Sequence, residues 1–111
     1  MDFDNNRPIY LQIADILSRR VLCGELDEGA RIPSVREYGA EIGVNPNTVA
    51  RSYDALTERG IIYNKRGIGF FVSDDAKTLV RDYMRKTFLE EELPAFIEKA
   101  ELLNVNLKEL I

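Results

Sequence analysis

Apolar residues recur at helical spacing near the start of the chain. Ile9, Ile13, Ile16, Leu17 and Val21 share one face of a helix of about four turns. Pro8 stands where that helix begins, because a first-turn N–H has no intrahelical partner to lose. Gly24 and the run GELDEGA read as the loop that ends it. Arg31-Ile32 is short and can pair as a small strand, and then Ser34-Val-Arg-Glu37 has the spacing of a capping box. A second helix is expected from there, burying Val35, Tyr38 and Ile42 and stopping at Gly43. Asn45-Pro46 opens a third helix with a cap followed by a first-turn proline. Val49, Tyr53 and Leu56 lie on its inner face, and Gly60 closes it. Two short helices joined by a tight glycine-containing turn are the pattern of a helix-turn-helix.

After Gly60 the period changes. Ile61-Ile62-Tyr63 is β-branched and aromatic, Asn64-Lys65-Arg66-Gly67 is polar, and Ile68-Gly69-Phe70-Phe71-Val72 is apolar again. This predicts a two-stranded hairpin with Lys65 and Arg66 at its tip and Gly67 supplying the turn conformation. A hairpin directly behind the second helix of such a motif is a wing.

Residues 74–111 are helical in character. Asp74 or Asp75 is placed to cap a helix carrying Leu79, Val80, Tyr83 and Phe88, and Glu90-Glu91-Glu92 is a charge run. Pro94 either begins another helix or kinks the first. Phe96, Ile97, Ala100 and Leu103, then Leu107, Leu110 and Ile111, form a second apolar series. The segment is too short for a domain with its own core. Its large apolar residues must be covered by the N-terminal module, by each other, or by a second chain. Leu79, Tyr83, Phe88, Phe96 and Ile97 are the candidate dimerisation residues.

The expected fold is therefore mainly α with a small β-hairpin wing. A winged helix-turn-helix spans residues 1–73, and a short helical dimerisation tail spans 74–111. Composition narrows the function. With 45% hydrophobic and 31% charged residues, the 111-residue chain is neither disordered nor membrane-like. No apolar run approaches the roughly 20 residues needed to cross a bilayer. No secretory pattern opens the sequence, so a cytoplasmic location is the default. Cys23 is a lone cysteine and histidine is absent, which argues against a metal site. No glycine-rich phosphate loop and no spaced acid–base pair stands out, so neither catalytic residues nor a cofactor are expected.

The net charge of -4 excludes wholesale coating of nucleic acid but not a local basic surface. Residues 1–73 hold nine Lys/Arg against ten Asp/Glu, whereas 74–111 hold six against nine. A DNA-binding face on the nearly neutral N-terminal part has to be built from a few arginines and from helix N-termini.

The stretch GARIPSVREYGAEIGVNPNTVARSYDALTERGIIYNKRGIGFFV, residues 29–72, closely resembles the DNA-binding domain of GntR-family bacterial regulators. PIYLQIADIL ahead of it fits the first helix, so the resemblance covers about residues 7–73. IPSVRE, VNPNTVARSY and RGIGFFV are its most specific parts. The short helical tail resembles the YtrA-type subfamily, whose members lack a large effector-binding domain and use the tail to dimerise. Many are repressors, often linked to genes for ABC transporters. The resemblance implies a homodimer on a pseudo-palindromic operator in double-stranded DNA, with no membrane partner. It leaves the existence of a small-molecule effector open.

Carried onto this chain, the family's DNA-contacting positions fall on Ser34, Arg36, Asn45, Asn47, Thr48, Arg51 and Tyr53, with Gly67 and its neighbours Lys65 and Arg66 at the wing. Several have a simpler reading beside this one. Arg36 and Arg51 suit phosphate or guanine edges, while the simpler readings are a solvated arginine for Arg36 and a solvated face or a pair with Asp54 for Arg51. Asn45 is a cap, and exposed N–H groups at such a helix start also bind phosphate. Asn47 and Thr48 point outward and can reach base edges or backbone. Tyr53 has its ring in the core and its hydroxyl within reach of a phosphate. Lys65 and Arg66 are either wing contacts or an ordinary charged turn. The chain departs from the family pattern at Tyr38-Gly39, where Leu-Ala is usual, and at Pro46 and Ala50, where other branches carry arginines. A winged-helix interaction module that does not read DNA is the main alternative.

Overall fold

The computed structural model describes Phe3 and residues 6–111. Helix α1 (Ile9–Leu22) begins directly after Pro8, whose extended conformation makes it the cap. Ile13, Ala14, Leu17, Ser18 and Val21 form its buried face, while Ile9 is exposed and Ile16 half-buried. Helix α2 (Val35–Ile42) starts in the expected capping box. The Ser34 oxygen accepts from Glu37 N at 3.1 Å, and the Glu37 carboxylate accepts from Ser34 N at 3.2 Å. Gly43 ends α2 at φ 71°, a left-handed conformation that glycine adopts without a Cβ penalty. Tyr38 and Gly39 are the buried residues of α2. Val35 and Ile42, expected in the same stripe, are only half-buried, since a helix of eight residues presents little more than one turn to the core.

Helix α3 (Pro46–Glu58) follows with Asn45 as its cap and Pro46 at its first turn. Val49, Ser52, Tyr53 and Leu56 are buried. Ser52 is tolerated there because its hydroxyl donates to the carbonyls of Tyr10, 2.7 Å away, and of Thr48. The first of these bonds ties α3 to the start of α1.

Strands β1 (Ile62–Lys65) and β2 (Gly69–Val72) pair antiparallel, Ile62 with Val72 and Lys65 with Gly69. The turn between them is thus shorter than the polar run suggested. Asn64 and Lys65 belong to the strand, and Arg66 and Gly67 to the turn. Residues 29–32 lie along the other edge of β2. Gly29 N donates to Val72 O, Val72 N to Ala30 O, and Ile32 N to Phe70 O. The sheet's inner rows carry Ile32, Ile62 and Val72, all buried, and half-buried Phe70. This is the two-residue alternation of a sheet with one face on the core.

Helix α4 runs Ala76–Thr87. Ala76 and Val80 are wholly buried. The chain divides into two compact units, one ending at Val80 and the other comprising Arg81–Ile111. Within the second unit α4 continues into a π-helical turn, Phe88–Glu92, and then into α5 (Leu93–Leu102). Pro94 therefore sits in the first turn of a helix. It has no N–H for the carbonyl four residues back, and the wider π turn relieves the crowding its ring would cause. A short α6 (Leu107–Leu110) closes the unit, capped by Asn106. Of the described residues in this unit, Ala100 alone is buried. Among the described residues no helix is long and apolar enough to cross a membrane.

Candidate nucleic-acid interface

The starts of α2 and α3 border one open groove, lined by Val35, Arg36, Asn45, Pro46, Asn47 and Ala50. Both helix N-termini direct the positive ends of their dipoles to this region, which favours an anion despite the acidic total charge. Arg36, Asn45 and Asn47 are exposed, whereas Ser34 and Thr48 are half-buried. Ser34 and Asn45 are committed as caps. The Asn45 side-chain oxygen accepts from Asn47 N at 2.8 Å, which leaves its amide NH2 to donate outward. Pro46 and Ala50 give the groove its apolar lining beside Val35. Arg36 is the cation of this groove.

Hydrogen bonding to the Ser34 side chain, and then to its backbone N–H, holds the Glu37 carboxyl below its usual range, with the nearby Arg31 cation adding to this. Glu37 therefore stays ionised at neutral pH and secures the first turn that carries Arg36.

Arg51 is exposed but lies outside this groove. Its guanidinium rests over the Tyr10 ring, 4.2 Å from the centroid. Among the described residues no ion pair joins it to Asp54, although both line a second depression between α1 and α3. Lys65, Arg66 and Gly67 are exposed on the wing, and Gly67 takes φ 78° in its turn. The Lys65 ammonium sits 5.3 Å from the Phe71 ring centroid.

Tyr53, expected to offer its hydroxyl to DNA, does not reach the surface. It is 1% exposed, and its hydroxyl donates to the Pro33 carbonyl at 2.6 Å. Its ring meets Phe70 edge-on at 5.0 Å and stands 6.5 Å from Tyr38. Burial pushes its phenol far above the tyrosine range. Tyr38 is raised for the same reason, with Arg20 opposing the shift. Tyr53 thus anchors the residue before the α2 cap from inside.

Tyr83, Phe88, Phe96 and Ile97 are exposed in the single chain. Leu79 differs from them. It is half-buried in the first unit, and its Cδ1 lies 3.4 Å from where a Gly60 β-carbon would stand. Two residues not anticipated stand beside the expected set, Tyr10 beneath Arg51 and Arg31 against Gly69. Tyr10 had no signal, because its contact with Arg51 crosses between helices. Arg31 had one, its place with Ile32 in a short strand-like segment just before the capping box.

Comparison with known proteins agrees with this geometry. The family profile described as bacterial regulatory proteins, gntR family, matches residues 9–72. The transcriptional repressor YtrA of Bacillus subtilis is 39% identical over 111 residues, covering 99% of this chain and 84% of its own. A putative GntR-family regulator from Bacteroides thetaiotaomicron has a solved structure that superposes with a TM-score of 0.74. It is 47% identical and covers 92% of this chain and 88% of its own. YtrA from Sulfolobus acidocaldarius, a GntR-family transcription factor, gives a TM-score of 0.66 at 31% identity, covering 84% of this chain and 94% of its own. The matched profile, a relative aligned along nearly the whole chain and a winged helix-turn-helix with a helical tail all agree. The chain belongs to the GntR family as a DNA-binding transcriptional regulator of YtrA-like type, not an enzyme.

Proposed function

We propose that the protein is a homodimeric repressor that binds a pseudo-palindromic operator. Arg36, Asn45, Asn47 and Thr48 enter the major groove or grip its phosphates, with Ser34 and the first N–H groups of α2 beside them. Arg51 flanks them from the Tyr10 side. Lys65 and Arg66, with Gly67 in the turn beside them, hold the neighbouring backbone. Tyr53 acts from the interior by fixing Pro33. The observation that carries this reading is the groove where two helix N-termini, one arginine and two asparagines converge.

A single recognition helix reads only a few base pairs, so a specific site requires two of them related by a two-fold axis. Repression is favoured by the likeness to Bacillus subtilis YtrA, itself a transcriptional repressor. The apolar residues Tyr83, Phe88, Phe96 and Ile97 supply the dimer contact.

Genome-wide mapping of sites bound by the purified protein tests the proposal. Inverted half-sites at fixed spacing, overlapping promoters, are the expected result. Strong binding at no site would count against it.

A further inference from the structure

The sheet rows place Arg31 in an unexpected position. Arg31 pairs across β2 with Phe71, and Phe71 pairs with Tyr63. Directly paired residues project from the same face of a sheet, so Arg31, Phe71 and Tyr63 form one row on the wing's outer face. The adjacent row on that face is Gly69 and Lys65. Stacking of the Tyr63 and Phe71 rings at 5.8 Å and the Lys65 ammonium over Phe71 agree with this arrangement. The Arg31 side chain leaves its own row and lies along the next one. Its Nε is 3.0 Å, and its terminal nitrogen 3.4 Å, from where a Gly69 β-carbon would be. The missing side chain at Gly69 is what lets the guanidinium lie against the strand. Two cations from separate segments thereby flank one aromatic surface beside the wing turn.

Resting on the DNA-binding reading above, we propose that Arg31 is a further DNA-contacting residue that binds a backbone phosphate beside the one held by Lys65. The competing duty is neutralising Glu37. That carboxylate already accepts from Ser34 N, and Arg31 contributes least to its lowered pKa. Among the described residues no ion pair joins Arg31 to a carboxylate. Its exposed guanidinium keeps its donor fork for an oxyanion, and packing against Gly69 reduces the entropy lost on binding. Its place on the outer face of the sheet suits backbone holding, not base reading.

The test measures binding of the full chain to a random-sequence DNA duplex across a series of salt concentrations. Each variant is first shown to melt like the parent. Arg31→Ala should weaken binding and reduce the slope of log K against log salt by about one unit. Arg31→Lys should restore most of the slope, since the charge is kept. The double variant with Lys65→Ala should lose about two units. If the parent binds with a steep slope and Arg31→Ala keeps both slope and affinity, the role of Arg31 is overturned and the DNA-binding reading stands. Weaker binding at unchanged slope would equally overturn it, because no phosphate contact would have been lost. If the parent shows no salt-dependent binding, both readings fall.

Discussion

A β-carbon on Gly39 would stand 2.8 Å from the carbonyl oxygen of Val44, closer than nonbonded atoms approach. The turn after α2 folds back over that glycine. Val44 N and the capping Gly43 N both donate to the Gly39 carbonyl, and the next carbonyl returns over its Cα. The close approach is between α2 and the turn leading to α3, so it sets the angle of the helix-turn-helix. It also accounts for glycine at a buried helical position.

Helix propensity alone would make Gly39→Ala stabilising by about 1 kcal/mol. The obstructing atom belongs to a backbone turn whose Gly43 and Val44 N–H groups both bond the Gly39 carbonyl, so it cannot give way cheaply, and overpacking of this kind costs about 1–3 kcal/mol. The net expectation is a destabilised variant with a lower urea midpoint and unchanged slope. A higher midpoint would mean that the turn yields and that the contact does not constrain the motif.

The bond from Tyr53 to Pro33 leads to a second expectation. Tyr53→Phe removes the donor while keeping the ring between Tyr38 and Phe70. The half-buried Pro33 carbonyl can still find water, so the loss should be about 0.5–1.5 kcal/mol. Thermal unfolding measures it. A neutral substitution would show that the start of α2 is held by the capping box alone.

The same residue makes stability pH-dependent on the alkaline side. Burial raises the Tyr53 phenol above its unfolded value, and Tyr38 shifts the same way. A raised folded pKa means that the stabilisation is complete below the unfolded value, about 10. It is lost as pH climbs from there toward the folded value, because the unfolded chain releases its proton first. Urea midpoints should therefore fall above that pH, and fall less in Tyr53→Phe than in the parent. Parallel declines would assign the effect to other groups.

The features readable from sequence were those whose cause is local. Ser34 with Glu37, Asn45 with Pro46, and Gly43 each determine their own turn, so helix boundaries and the helix-turn-helix followed from a few neighbouring residues. Long-range placement was not readable in this way. Arg51 finds Tyr10 on another helix, Tyr53 spends its hydroxyl on Pro33, and Leu79 lies against Gly60. None of these partners is marked by periodicity. The polar neighbours of Lys65 predict a turn residue. Its strand pairing with Gly69 depends on where the turn closes, which one residue of slippage changes.

Within the candidate interface, cations and amides should behave differently. Replacing Lys65 and Arg66 by alanine should weaken binding to every duplex and lower the salt slope by about two units. Replacing Asn47 removes a neutral group at the start of α3, so the slope should persist. Discrimination between operator and mismatched sites should shrink by about 1–3 kcal/mol if it makes a bidentate base contact. Competition binding with operator variants separates the two effects. A wing variant with unaltered slope would place the wing away from DNA.

The tail allows a test of dimerisation that does not depend on disrupting a core. Phe88 is 48% exposed and Phe96 59% exposed in the single chain, and Ile97 stands beside Phe96 on α5. Substituting residues that are already solvated should cost the isolated chain little. A two-fold interface would bury each of them twice, and a fully buried side chain of this size is worth roughly 1.5–3 kcal/mol. Several such losses exceed what a modest dimer can spare after the cost of association. Phe96→Ser with Ile97→Ser should therefore keep the parent's helix content by circular dichroism yet sediment as a monomer at micromolar concentration. Operator affinity should fall by orders of magnitude, because the second half-site loses the high effective concentration that linkage provides. Binding to random duplex should fall far less, since the interface of each chain is untouched. A variant that stays dimeric would move the contact elsewhere on the tail. One that loses its helix content would show instead that Phe96 and Ile97 stabilise the single chain, contrary to their exposure.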